Sequence, residues 1–197
     1  MGSYVRHENM IKTLRYITGN EGKLKTAQTF IQKYQIEIVG TKLPLQEIQS
    51  ESIEEISRHK AEQAYELIKE PLFVNDTGWY IDSLNGFPGP FMAYINKWLR
   101  PDDLLALMSR HTNRTITMKQ VITYKDENIT KTFEYDSKGI ILPELRGNTG
   151  NMVDKIISLS ENGLSLAQEK DNGNYEFDFE KQLWNMFGEW LNKDYAK

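Results

Sequence analysis

The chain has 197 residues, 39% hydrophobic and 26% charged, with a formal net charge of -4. That length suits one packed domain or two lobes sharing a cleft, and the acidic balance argues against a general nucleic-acid binder, which needs a basic face. With no cysteine there are no disulfides and no thiolate metal sites, and no apolar run is long enough to span a bilayer.

The N-terminus lacks the basic-then-apolar layout of a secretory signal, so a cytoplasmic location with no membrane partner is expected. Leu14-Arg15-Tyr16-Ile17-Thr18 reads as a first strand, and after Gly22 the apolar positions Ala27, Phe30, Ile31 and Tyr34 follow helical spacing. Ile36 to Val39 alternates as a second strand, so the opening is a βαβ signature of an α/β fold. Ser52 and Glu55 have capping-box spacing for a helix whose apolar stripe runs through Ile53, Ile56, Ala64 and Leu67. Leu72 to Val74 is a buried-strand candidate, and Trp79 to Ile81 either continues it or pairs beside it. Asn85 to Pro90 is a loop by composition, followed by two short helices near Phe91 to Trp98 and Asp102 to Ser109. From Arg114 the pattern changes to period two, with Ile116, Met118, Ile122 and Tyr124 on one face. Asp126-Glu127-Asn128 then turns the chain into a returning strand around Ile129 to Tyr135. Val153 to Leu159 is a further strand candidate, and Leu183, Trp184, Phe187, Trp190 and Leu191 mark the apolar face of a closing helix. The expected architecture is one α/β domain over residues 1–197. Its two lobes, a mixed sheet with flanking helices and a long antiparallel hairpin, meet at a central cleft suited to a ligand.

Two short segments carry the chemistry. Thr18-Gly19-Asn20-Glu21-Gly22-Lys23 sits where a helix begins, and unpaired N–H groups at a helix start favour an anion. Lys23, Lys25, Lys60 and Arg58 offer a local basic pocket. The plainer alternative for the turn is an ordinary strand-to-helix connection capped by Asn20. In Asn75-Asp76-Thr77-Gly78, Asp76 leaves a buried strand, where a carboxylate needs an ion partner, hydrogen bonds or a metal. The plainer alternative is an Asx-turn to Gly78. Glu47 joins Asp76 as a ligand for a hard cation such as Mg²⁺, or stands as a solvated glutamate. Lys60 falls within the apolar stripe of its helix, so it either snorkels or reaches an anion in the cleft. The three histidines show no metal-ligand spacing.

Taken in order and spacing, these motifs resemble the Ham1/inosine triphosphate pyrophosphatase family. The matching residues are Thr18-x-Asn20-x-x-Lys23, Glu47-x-Gln49, Lys60 in a capped helix, Asp76-Thr77-Gly78, and Gly86-Phe87-Pro88-Gly89-Pro90. The resemblance implies a two-lobed Maf/Ham1-type fold, a homodimer, and Mg²⁺-dependent cleavage between the α- and β-phosphates of noncanonical purine nucleoside triphosphates such as ITP, dITP and XTP. On matching positions it implies that Asn20, Lys23 and Lys60 hold the triphosphate, with Thr18, Thr77, Gly78 and Asp154 as further substrate contacts. Glu47 and Asp76 would bind the metal, and Asp76 would orient or deprotonate the attacking water. Two departures fall on base recognition. Gly150-Asn151-Met152-Val153-Asp154 keeps the family's aspartate and loses its stacking aromatics, and Phe177-Asp178-Phe179-Glu180 replaces a Ser-His-Arg triplet. A carboxylate there accepts hydrogen bonds and so suits an amino group better than a keto oxygen. The same chemistry on another base, and a binding protein without turnover, are the alternative readings.

Overall fold

The opening βαβ pattern forms as the sequence indicates in a computed structural model that describes residues 13–174 and 177–193, the side chains of Asp178 and Phe179 excepted. Strand β1 (Thr13–Ile17) leads through the Thr18 turn into α1 (Glu21–Ile31), and β2 (Glu37–Thr41) returns parallel to β1. Helix α2 (Ile53–Ile68) starts at Ser52, whose hydroxyl accepts from the Glu55 N–H at 3.1 Å. It feeds β3 (Leu72–Ile81), a single ten-residue strand. Thus Trp79 to Ile81 continues β3, and Asp76 lies in its middle, not at its end. The Asx-turn alternative fails for the same reason. The apparent turn signal Thr77-Gly78 is overridden because every residue of β3 pairs with β5 (Thr115–Lys125), from Leu72↔Lys125 to Ile81↔Ile116.

The rest of the chain adds β4 (Pro88–Gly89), α3 (Met92–Trp98), α4 (Pro101–Leu107), β6 (Thr130–Ile141), α5 (Met152–Ile156), β7 (Ile157–Ser158), α6 (Leu166–Asp171) and α7 (Asp178–Lys193). One mixed sheet runs β2-β1-β3-β5-β6-β7, with β4 on β3. The expected strand over Val153 to Leu159 is corrected: its first half is α5, and only Ile157 and Ser158 pair with β6. A capping box wins there, with Asn151 accepting from the Asp154 N–H and Asp154 accepting from the Asn151 N–H. Leu67 is corrected as well. It is 56% exposed at the last turn of α2, where the stripe has already rotated off the sheet.

Helices α1 and α7 cover one face of the sheet and α2 the other. Leu14, Tyr16, Phe73, Ile122, Tyr124 and Phe133 pack under Leu183, Trp184, Phe187 and Trp190 of α7. Phe73 stacks on Tyr16 at 4.4 Å and tilts against Phe187 at 5.0 Å, and rings of this size each contribute roughly 2–3 kcal/mol by burial. Farther along the same face, Trp79, Ile81, Ile116 and Met118 pack with α3 to α6 as a second core. No helix among the described residues is long and apolar enough to cross a membrane.

Candidate active site

The strand pairings create the site. β3 pairs with β1 only at Arg15↔Leu72 and Tyr16↔Phe73, then runs on beyond the end of β1. From Val74 to Gly78 β3 therefore has β5 on one side and an open edge on the other, until β4 pairs at Trp79 and Tyr80. Lys23, from the first turn of α1, fills part of that edge, its Nζ donating to the Asn75 carbonyl at 2.9 Å. Asn20 is the N-cap of α1, accepting from the Lys23 N–H at 3.1 Å, and the Thr18 hydroxyl accepts from the Asn20 N–H at 3.1 Å. The capping reading of Asn20 is therefore correct, and its side-chain amide N–H groups are not used by the cap.

On the α2 face of β3, Asp76, Lys60 and Glu47 form one cluster. The Lys60 ammonium donates to Asp76 Oδ1 and lies 2.8 Å from Glu47 Oε2. Asp76 is buried, and its second oxygen, Oδ2, has no partner among the described residues. Burial opposes the charge on Lys60, but the attraction of Asp76 and the hydrogen bonds to Asp76 and Glu47 outweigh it, so its pKa stands above that of an ordinary lysine. Lys60 thus reaches the protein's own carboxylates, Asp76 and Glu47, and does not line the cleft on the other face. Glu47 is half-exposed and paired. Lys23 behaves oppositely: burial lowers its pKa, with Lys60 adding to the effect and Asp76 and Glu47 working against it. Among the described residues no three His, Asp or Glu side chains converge as a metal cage.

On the other face lies a cleft of about 890 Å³ whose floor is Asn75, Thr77 and Gln120. Gln120 is opposite Thr77 and occupies the missing place in the period-two series between Met118 and Ile122. It is 6% exposed, and its Oε1 has no partner among the described residues. The gap in the apolar series was the available signal for it. The floor therefore separates the two cores, and Asn20, Lys23 and Lys25 form one wall. Arg58 is exposed and does not line this cleft.

The opposite wall comes from the C-terminal third: Thr149, Gly150, Lys170, Phe177, Glu180 and Trp184. Asp154 stands behind it, accepting from Lys170 Nζ through Oδ1 and from the Asn151 N–H through Oδ2, both at 2.8 Å. Gly150, at φ +100°, is needed for this packing, since a Cβ there would lie 2.2 Å from Asp154 Oδ2. Gly78 is also a close approach, with an added Cβ 2.8 Å from the Tyr80 ring. Lys170 carries no local sequence signal, and Glu180 is marked only as part of the 177–180 stretch that departs from the family's triplet. They reach the site from helices far along the chain. Burial raises the Glu180 carboxyl to about 7 against the opposing pull of Lys170 and Lys23.

An open strand edge with a carboxylate oxygen that has no partner among the described residues on one side and a lysine-walled cleft on the other is suited to an anionic ligand and to activation of a water molecule. Known proteins share this frame. The sequence profile of the Ham1 family matches residues 14–176. A dITP/XTP pyrophosphatase of Methanopyrus kandleri is 30% identical over 182 residues, 92% of this chain and 97% of that protein. Inosine triphosphate pyrophosphatase 2 of Trypanosoma cruzi is 33% identical, covering 86% of this chain and 87% of that protein. A HAM1 protein structure from Coxiella burnetii superposes with a TM-score of 0.80 at 19% identity, over 92% of this chain and 98% of that one. With the match running from β1 to just short of α7, this chain belongs to the Ham1 family.

Proposed function

We propose that this chain is a Mg²⁺-dependent nucleoside triphosphate pyrophosphatase acting on noncanonical purine nucleotides (ITP, dITP, XTP). It would cleave the α–β phosphoanhydride to release the nucleoside monophosphate and pyrophosphate. The observation that carries the reading is Asp76, with Oδ1 held by Lys60 and Oδ2 buried without a partner among the described residues, beside the lysine-walled cleft. Family membership supports the hydrolase class, and the names of the relatives support the purine substrates.

In this reading Asp76 Oδ2 orients the attacking water and takes its proton, while Lys60 keeps Oδ1 in place and ionised. Lys23, the Asn20 amide and the first N–H groups of α1 offset charge on the phosphates. Thr18 and Thr77 add polar contacts. Asp154 acts through Lys170, and Gly78 acts by letting Tyr80 pack close to the strand. The residues fit Mg²⁺, which needs one or two carboxylates and keeps several waters, and Asp76 with Glu47 would supply them. When bound, the ion would polarise the phosphate oxygens and steady the leaving pyrophosphate. We further propose a cytoplasmic homodimer with no nucleic-acid or membrane partner, as the motif resemblance and the acidic balance of the sequence lead us to expect.

The test is pyrophosphate release from a panel of ordinary and deaminated nucleoside triphosphates, with Mg²⁺ and with EDTA. Metal-dependent release from ITP or XTP is expected. Tight binding without release from any nucleotide would overturn the reading in favour of a sensor.

A further inference from the structure

Glu180 belongs to the first turn of α7, and its backbone N–H bonds the Phe177 carbonyl at 3.1 Å. It shares the cleft-facing side of that helix with Trp184, one turn on, and has Phe177 before it. The charged groups facing it are Lys23 from α1 and Lys170 from α6, with the buried Tyr16 hydroxyl of β1 beneath and neutral Gln120, Asn75 and Thr77 on the floor. Among the described residues neither lysine comes within 4.0 Å of its carboxylate, so Glu180 is near cations without being paired to one.

Every oxygen that a nucleoside triphosphate presents on its phosphates, and the keto oxygen of a deaminated purine, is a hydrogen-bond acceptor. A carboxylate facing them would set lone pairs against lone pairs and negative charge against negative charge. A carboxylic acid would donate its O–H. Resting on the nucleotide reading above and going beyond it, we propose that Glu180 meets the nucleotide as a carboxylic acid and donates a hydrogen bond to one of its acceptor oxygens.

The local physics supports the acid form. The helix start favours a carboxylate at this position, but burial beside the aromatic rings outweighs it and brings the group to about 7. Triphosphate arriving on Lys23 would screen one of the two cations that favour ionisation, and would bring its own negative charge close. Nucleotide binding and protonation of Glu180 therefore reinforce each other. This reverses the expectation from sequence, in which a carboxylate at 177–180 pointed to an amino-bearing base.

The test is calorimetric binding of ITP, in EDTA, to the wild type and to Glu180→Gln from about pH 6 to about pH 8, with pyrophosphate release followed in separate samples containing Mg²⁺. Wild-type affinity should fall roughly tenfold over that interval, because the donor is lost as the acid ionises. Glu180→Gln keeps an N–H donor at every pH and should lose only the part of the pH effect that both proteins share. A second nucleotide, purine riboside triphosphate, carries hydrogen in place of the keto oxygen. A pH effect confined to ITP identifies the keto oxygen as the acceptor, and an equal effect on both identifies a phosphate oxygen. Superimposable pH profiles for the wild type and Glu180→Gln overturn the proposal. If Glu180→Gln fails to fold, Glu180→Met replaces it. That variant should bind ITP at pH 6 as weakly as the wild type does at pH 8, and wild-type affinity at pH 6 overturns the proposal. Absence of pyrophosphate release overturns the pyrophosphatase reading alone, since the binding comparison stands without turnover.

Discussion

The two faces of the sheet at β3 handle polar groups in opposite ways. On the α2 face, charges are gathered and compensated: Lys60 sits between Asp76 and Glu47, and Lys119 pairs with Glu54 at 2.7 Å. On the α7 face, polar groups are spaced apart: Gln120 Oε1 has no partner among the described residues, and Glu180 and Lys23 are each shifted toward neutrality by burial. The first arrangement is largely paired before any ligand arrives, with Asp76 Oδ2 the exception. The second improves when a ligand supplies the missing partners. A cluster of opposite charges fixes reacting groups in place, whereas separated, partly desolvated groups select what enters.

The sharpest way to break this contrast is on the compensated side. Asp76→Asn should keep the fold and nucleotide binding while lowering hydrolysis by roughly 10²–10⁴-fold, read by pyrophosphate release beside a thermal melt. Unchanged turnover would remove Asp76 from the reaction. Lys60→Met leaves Asp76 and Glu47 facing each other without their cation. It should cost about 3 kcal/mol in denaturant unfolding, and added Mg²⁺ should restore part of that loss. A loss indifferent to Mg²⁺ would separate the two carboxylates from the metal.

On the other face the effects are smaller and depend on pH. The folded-state pKa of Glu180 lies above its unfolded value, so the folded protein binds more protons and loses stability as pH rises from about 4.5 to about 7. Glu180→Gln removes that loss. Discounted for partial exposure, it should be about 2 kcal/mol more stable than the wild type at pH 8 and equal to it at pH 4. Gln120→Leu completes the apolar series of β5 and should gain about 1 kcal/mol, while weakening nucleotide binding. A loss of stability there would mean that Gln120 is satisfied within the fold and is not part of a waiting surface.

Local pattern made the elements of the first two-thirds legible, and long-range pairing decided the rest. The Ser52 cap and the period-two run from Ile116 to Tyr124 are short-range signals, and both elements form where they point, although Glu55 does not complete the capping box because its carboxylate accepts from the Ser50 hydroxyl instead. Asp76 was recognisable as a carboxylate in an apolar setting, and Lys60 as a cation within an apolar stripe. Their meeting depends on how α2 lies across β3, which neither segment encodes alone. Thr77-Gly78 suggested a turn because local composition cannot anticipate ten consecutive pairings to a strand far along the chain, Thr77 to Gln120 and Gly78 to Lys119 among them. The apolar residues of Val153 to Leu159 suggested a strand, but the cap at Asn151 and Asp154 decided the first half. Lys170 was the least legible, and Glu180 was visible only as one carboxylate of the 177–180 stretch, since only the packing of α6 and α7 brings them to the cleft wall.

The five-residue length of β1 also governs access. A parallel neighbour that continued past Ile17 would occupy the Asn75 carbonyl with a backbone N–H, displace Lys23 and seal the passage between the two faces. About two added residues, at roughly 3.3 Å each, would be enough. The aperture is thus fixed by where a strand stops, and a side-chain substitution can line the opening but cannot create it.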